Sequence, residues 1–381
     1  MTIDFAAPGF IQDPYPGLAE LRASGEVTWH EGTGQYLAAS HAAASAVLRD
    51  RRLGRFWVDR EPADVYEPFN LLHRNQMMEN EPPVHTRLRS LVAKAFGRGH
   101  VDRLRPAVGA EAQRLVAETG KTFDLLTEVA EPLAVTVIAE LLGVPVEDRS
   151  KLRPWSAAIV RMYEVERSAE TETRALEACR EFADYLRDLA RRRTEEPRDD
   201  LISHLVAVGD LTPDELVASA ILLLNAGHEA SVNALGGGMV ALLRHPGQLV
   251  RAKADKATAA EEMIRYDSPL QMFVRTAAHD VVIAGRKIEA GARIAALLGA
   301  ANRDPEVFAE PDTFDAGRDP NPHLGFGAGL HFCLGAPLAR IELRAALNAL
   351  LPLNLELAAE PVNRPTFVLR GYEEVRIGRV E

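Results

Sequence analysis

A lone cysteine sits in the run Phe326-Gly327-Ala328-Gly329-Leu330-His331-Phe332-Cys333-Leu334-Gly335, with glycines on both sides. Glycine lets the main chain take strained turns and approach a ligand with no Cβ in the way. Such a run brings backbone close to something flat and bulky. From Pro337 the sequence reads as a helix, with Leu338, Ile341, Leu343 and Leu347 apolar and Arg340, Glu342 and Arg344 between them. Cys333 is therefore expected at or just before a helix N-terminus, where free N–H groups and the dipole favour thiolate over thiol. The chemistry this points to is a thiolate metal ligand. A small core cysteine is the competing reading. A zinc site would need partners at CxxC-like spacing, and the other cysteine, Cys179, lies far away in a charged helical stretch.

A second group of chemically able residues interrupts a long apolar stretch. Thr212-Pro213-Asp214-Glu215 carries a cap residue, proline at the first helical position and Glu three residues after the cap. The pattern from Thr212 to Leu243 then predicts a helix of about 30 residues, about 45 Å long, apolar on most faces and so running through the core. Gly227-His228-Glu229-Ala230-Ser231 breaks its apolar run, which also rules against a membrane span of roughly 20 uninterrupted apolar residues. A buried Glu229 is costly unless paired or given a task. Either it is a satisfied core carboxylate, or Gly227 makes room for a small ligand while Glu229 and Ser231 hold waters. His228-Glu229 begins an H-E-x-x-H pattern, but position 232 is Val232 and that motif fails.

Further along, Glu262 and Arg265 stand three apart on one helix face. Asn302-Arg303-Asp304-Pro305 and Arg318 follow, and then the cysteine loop. Upstream, His85 and Arg89 fall four apart on one face. Taken singly, each basic residue is equally well a solvated side chain.

The spacing Phe-x-x-Gly-x-x-x-Cys-x-Gly resembles the haem-binding loop of the cytochrome P-450 superfamily. The order of the remaining motifs resembles that superfamily as well, over nearly the whole chain from Asp13-Pro14-Tyr15-Pro16 to the last strands. The resemblance implies a mainly α fold with small β-sheets, haem lying between a kinked central helix and the cysteine-loop helix. It implies haem b (iron protoporphyrin IX) with Cys333 as the axial ligand, pushing electron density onto iron to favour O–O cleavage. Phe326, Gly327 and Gly335 then belong to the cofactor loop, and Ala226-Gly227-x-Glu229 to the oxygen-binding kink. His85, Arg89, Arg275 and His331 become propionate contacts, buried cations for buried anions. Glu262, Arg265 and Arg318 become a structural triad that holds the cysteine loop.

Most members place threonine directly after the acidic residue of the central helix. Here that position is Ala230, followed by Ser231. Proton delivery is then expected through Glu229, Ser231, water or a hydroxyl on the substrate. The implied activity is insertion of one oxygen atom of dioxygen into a small, largely apolar organic substrate, by hydroxylation or epoxidation, as in natural-product tailoring. Ferredoxin and ferredoxin reductase are the implied electron donors. The alternatives are a peroxide-driven peroxygenase on the same scaffold and a non-catalytic haem protein that binds a ligand. Substrate walls are expected from residues 60–80, the segment around Met162, and residues 223–230, 270–274 and 366–368. Met77, Met78, Leu223, Met272 and Phe273 make them apolar.

The elements that must position these groups read as mostly helical. Helices are expected over His85–Phe96, Val101–Ala117, Leu125–Leu142 and Arg174–Arg193. A hairpin is expected from Val27–His30 and Gln35–Ala39, with strands at Val281–Ala284, Arg293–Leu297 and near Val375 and Ile377. Residues 60–80 lack periodicity and read as a loop with a short helix. The 381 residues are 47% hydrophobic and 26% charged, ordinary globular composition. Length alone allows two or three domains. With no linker, repeat or low-complexity run, one domain over 1–381 is expected. The net charge of −11 disfavours nucleic acid. Two distant cysteines fit a reducing cytoplasm, and the N-terminus predicts neither a secretory signal nor a membrane anchor. A basic band of Arg87, Lys94, Arg98, Arg103, Arg105 and Arg344 is either a surface that steers an acidic ferredoxin or a plain solvated face.

Overall fold

The computed structural model describes residues 3–95, 98–163 and 167–380. Phe96, the expected end of one helix, and the side chain of Arg98 lie outside what is described. The chain divides into two compact units that alternate along the sequence. Met1–Gly54, Ala107–Leu133 and Ala230–Glu381 form one; Arg55–Pro106 and Ala134–Glu229 form the other. Three of the crossings fall inside helices, those of Arg98–Glu118, Glu131–Leu142 and Pro213–Arg244.

The first unit is built on a five-stranded sheet. Its order is Val27–His30, Gln35–Ala38, Arg293–Leu297, Met272–Ala277 and Leu53–Gly54. Gln35–Ala38 runs parallel to Arg293–Leu297 and the other pairings are antiparallel. Alternate residues of a strand point to opposite faces, and here both faces are buried. Ile294 and Ala296 pack on one side with Val47, Leu53, Leu324 and Ala328. Ala295 and Leu297 pack on the other with Leu18, Leu21, Leu37 and Phe367. Because Leu324 and Ala328 come from the stretch that leads to Cys333, the sheet seats the cysteine loop directly.

The second unit is made of helices. The longest wholly inside it, Ala169–Glu195, buries Leu176, Cys179, Phe182, Leu186 and Leu189 along one stripe, at the three- and four-residue spacing of a single helix face. Its buried Arg193 donates to Asp200 Oδ2 (2.6 Å) and to the Gly143 carbonyl (2.6 Å). Asp200 in turn caps Leu201–Val208 by accepting from the Ser203 N–H. Residues 60–80 are more ordered than their sequence predicts: Ala63–Arg74 is a twelve-residue helix with Pro68 inside it, followed by a short turn of helix at Met77–Glu79. Among the described residues no helix is long and apolar enough to cross a membrane.

Candidate active site

The cysteine loop owes its shape to two backbone positions. Gly327 and Gly329 have φ of +70° and +72°, where a side chain is strained. A Cβ on Gly329 would also collide with the Leu48 carbonyl oxygen. The loop folds back so that the Cys333 N–H donates to the Phe326 carbonyl (2.9 Å) and the Gly327 N–H to the Leu324 carbonyl (2.8 Å). A short turn of helix, Gly329–His331, precedes the cysteine, and the helix Ala336–Leu350 follows it with Pro337 in its first turn. Both cysteines are thiols, but their settings differ. Burial pushes Cys179 up to about 12, which keeps it neutral and unreactive. Cys333 is half-exposed in its loop. Arg340 lies over the Phe326 ring at 4.5 Å and pairs with Glu261 (2.6 and 2.8 Å).

Behind the loop stands a buried ion network. Glu262 and Arg265 are fully buried and joined by two hydrogen bonds (2.7 and 2.8 Å). Arg318 reaches the same carboxylate at 3.2 Å. Arg265 also donates to the carbonyls of Asn302, Pro311 and Thr313, and Asn302 accepts from the Leu324 N–H (2.7 Å). An unbroken chain of hydrogen bonds therefore runs from Glu262 through Arg265, Asn302 and Leu324 to Gly327. A buried charge pair survives only when its remaining hydrogen bonds are met, and here they are met by the segment that leads into the cysteine loop.

The central helix begins as predicted. The Thr212 N–H donates to Glu215 and the Glu215 N–H to Thr212 Oγ1, a reciprocal cap. The helix is continuous from Pro213 to Arg244; what changes in its middle is exposure. Residues 216–224 and 232–242 include a long series of buried side chains. Asn225, Gly227, Glu229, Ala230 and Ser231 are half-exposed and Ala226 is exposed. Gly227 differs from the sequence reading in one respect. The space on its hydrogen side is taken by Ile138, whose Cδ1 would stand 2.7 Å from a Cβ there, so this glycine serves close packing against the helix Glu131–Leu142.

Glu342, a buried carboxyl on the Ala336–Leu350 helix, is pushed up to about 8 by burial, and Ser231 of the central helix is the neighbouring side chain that opposes this shift. The sequence reading passed over Glu342 as one of the charges between apolar positions. Its signal was present, because positions 338, 342 and 345 share a helical face and Leu338 and Ala345 are buried. Asn225 was also missed; its Oδ1 is buried without a hydrogen-bond partner on an otherwise apolar stretch of helix.

The expected propionate contacts divide between the units. His85, buried, and Arg89, half-exposed, share a face of Val84–Ala95 in the helical unit. Arg275, buried on strand Met272–Ala277, and His331 belong to the sheet-bearing unit with Cys333. Phe273 of the same strand lies 3.6 Å from where a Gly327 Cβ would be, so one expected wall residue does border the cysteine loop. Met77, Met162 and Leu223 are buried in the helical unit. Phe367 packs into the sheet core instead. The basic band is less positive than its sequence implies. Arg87 is bound to Glu215, Arg105 to Asp102 (2.8 Å) and Arg103 to Asp199 (3.4 Å), and these three are exposed, as are Lys94 and Arg344.

The loop fits a haem bound through sulfur. It presents one thiol, glycine backbone and flanking aromatic rings, and no cluster of three or more His, Cys, Asp or Glu side chains that would hold a bare metal ion exists among the described residues. Comparison with known proteins agrees. Residues 257–368 match the family model for cytochrome P-450. The chain is 39% identical to the cytochrome P-450 monooxygenase PikC of Streptomyces venezuelae, over 99% of this chain and 94% of that protein. It is 38% identical to 6-deoxyerythronolide B hydroxylase of Saccharopolyspora erythraea, over 98% of each. Its fold superposes on a crystal structure of P450BioI in complex with hexadec-9Z-enoic acid ligated acyl carrier protein with a TM-score of 0.93. That likeness has 34% identity and covers 98% of this chain and all of the other.

Proposed function

This chain belongs to the cytochrome P-450 family and is a monooxygenase, and from that premise we propose that it inserts one oxygen atom of dioxygen into a small, largely apolar organic molecule. Hydroxylation and epoxidation are the reactions in scope, and two classes to try first come from its relatives: 6-deoxyerythronolide B, for which one is named a hydroxylase, and the hexadec-9Z-enoic acid ligated acyl carrier protein with which another forms a complex. The observation that carries this reading is the cysteine loop, a single sulfur on backbone that only glycine can shape.

Haem b, when bound, supplies the dioxygen activation and the oxygen transfer. Cys333 holds its iron. Phe326, Gly327 and Gly335 frame the sulfur, and His85, Arg89, Arg275 and His331 neutralise the propionates. Ala226, small and exposed in the middle of the central helix, leaves room for dioxygen, while Gly227 packs against Ile138. Ala230 offers no hydroxyl beside Glu229, so protons reach the site from Glu229 and from the Ser231–Glu342 pair. Glu342 is neutral at pH 7 because burial disfavours its anion, and a neutral carboxyl can donate where a carboxylate cannot. Electrons come from a ferredoxin and its reductase. Two thiols, one of them needed as thiolate, suit a reducing cytoplasm.

The test is the spectrum of the reduced, carbon-monoxide-bound protein. Wild type should show the thiolate-ligated band and Cys333→His should lose it. An unchanged spectrum in the variant would overturn the assignment. Because Ala230 lacks the usual hydroxyl, the same preparation should be assayed with hydrogen peroxide and no reductase. Turnover there equal to that with ferredoxin would make the protein a peroxygenase.

A further inference from the structure

The segment 55–80 of the helical unit contains three arginines, at positions 55, 60 and 74, and two of them are conventionally paired. Arg55 binds Glu79 (2.5 Å), and Arg74 binds Asp59 (2.6 Å) and Glu67 (3.0 Å). Arg60 has no carboxylate partner among the described residues, although it is half-buried. Its Nη2 donates to the Met162 carbonyl (2.8 Å) and its guanidinium lies 4.6 Å over the Phe69 ring. Its backbone is pinned on both sides by Asn70, which accepts from the Arg60 N–H (2.9 Å) and donates to the Arg60 carbonyl (3.0 Å). Phe69, Asn70 and Met162 are fully buried. Nη1 is buried with no hydrogen-bond partner.

The charges nearby do not compensate for this. Glu172, the acid whose field reaches Arg60, already accepts from the Tyr66 hydroxyl (2.7 Å) and pairs with Arg167 (3.2 Å). Arg167 adds a second positive charge, and burial with that repulsion holds Arg60 below the usual arginine range. A partly buried guanidinium with a fixed orientation and an unmet N–H is set up to receive an anion. The neighbouring Phe69 and Met162 favour a compact, singly charged group on an apolar body over a heavily hydrated one.

We propose that Arg60 is an anchor for the carboxylate of an aliphatic acid, so that the preferred substrates are carboxylate-terminated chains. This rests on the monooxygenase reading above and narrows its substrate class. The carboxylate takes the Nη1 N–H, while the bond to Met162 and the stack on Phe69 keep the guanidinium in place.

The experiment is a titration of the purified haem-loaded protein with myristic acid and with methyl myristate, followed by the substrate-induced shift of the haem spectrum. Wild type should bind the acid about 10- to 100-fold more tightly than the ester, the range for a hydrogen bond to a charged group. Arg60→Gln should weaken the acid to the level of the ester and leave the ester within about twofold, while Arg60→Lys should keep part of the preference. Equal affinity for acid and ester in wild type overturns the proposal without any variant. So does equal weakening of both ligands by Arg60→Gln, which would make Arg60 a structural tie to Met162. A flat titration with both ligands, the thiolate-ligated carbon-monoxide band being intact, also overturns it. Absence of that band would instead sink the haem-thiolate reading.

Discussion

Glu342 is a carboxyl kept where it is expensive to ionise. Burial pushes it up to about 8, against the opposing effect of the neighbouring Ser231. In the unfolded chain a glutamate ionises near pH 4.3. Between about pH 4.5 and about 8 the unfolded chain has therefore lost a proton that the folded protein still holds, and stability falls as pH rises through that window. Below it both states are protonated and above it both are ionised, so this group adds no further slope. Glu342→Gln removes the slope. Its stability relative to wild type should rise from pH 5 to pH 8 by on the order of a few kcal/mol, read from denaturant melts at the two pH values. If Glu342 also feeds protons through Ser231, the same variant should divert more reducing equivalents to peroxide at pH 7. A gain in stability with a loss of coupling marks a residue retained for function. An unchanged pH slope would mean that the carboxyl is ionised in the folded protein.

Elements were legible in the sequence wherever one physical signal dominated. The reciprocal cap at Thr212 and Glu215 fixed the start of the central helix, the strand Val27–His30 followed from a hairpin around Gly32 and Gly34, and Arg293–Leu297 from its alternation. Ala169–Glu195 begins five residues earlier than its apolar periodicity predicts because Ser168 caps it, accepting from the Thr171 N–H. The length of the helix Ala63–Arg74, expected only as a short helix within a loop, was hidden for a different reason. Pro68 removes an interior donor, and its buried face includes Asn70 and His73, polar residues whose bonds to Arg60 and Tyr163 are tertiary. Close helix packing was equally hidden. Gly238 of the central helix faces Met263, with which a Cβ would collide. Gly238→Ala gains helix propensity but overpacks the contact with the helix that carries Glu262 and Arg265, and should destabilise the protein by about 1–3 kcal/mol, measured as a lower Tm. A neutral or raised Tm would show that Met263 can move aside.

At the scale of the whole molecule, the sequence conveyed the family through the order of its motifs but not the pairing of its surface charges. Cys333, Glu262, Arg265 and Arg318 were legible because each must be a particular residue type at a particular place. Glu342 and Arg60 were not, since their importance lies in which partners the fold supplies or withholds. The basic band shows the same limit. Counted along the chain it is a run of cations, but in the structure Arg87, Arg103 and Arg105 each have an acid beside them, within a protein of net charge −11. Paired charges produce a field that decays quickly with distance, so they steer an approaching partner weakly. Raising the ionic strength from about 0.1 M to about 1 M shortens the screening length from about 10 Å to about 3 Å. Over that range, reduction of this protein by an acidic ferredoxin, followed by stopped-flow absorbance, should slow by less than about tenfold. A loss of about 100-fold or more would mean that the arginines exchange their internal acids for the partner's, and that the band steers, as one of its two sequence readings has it.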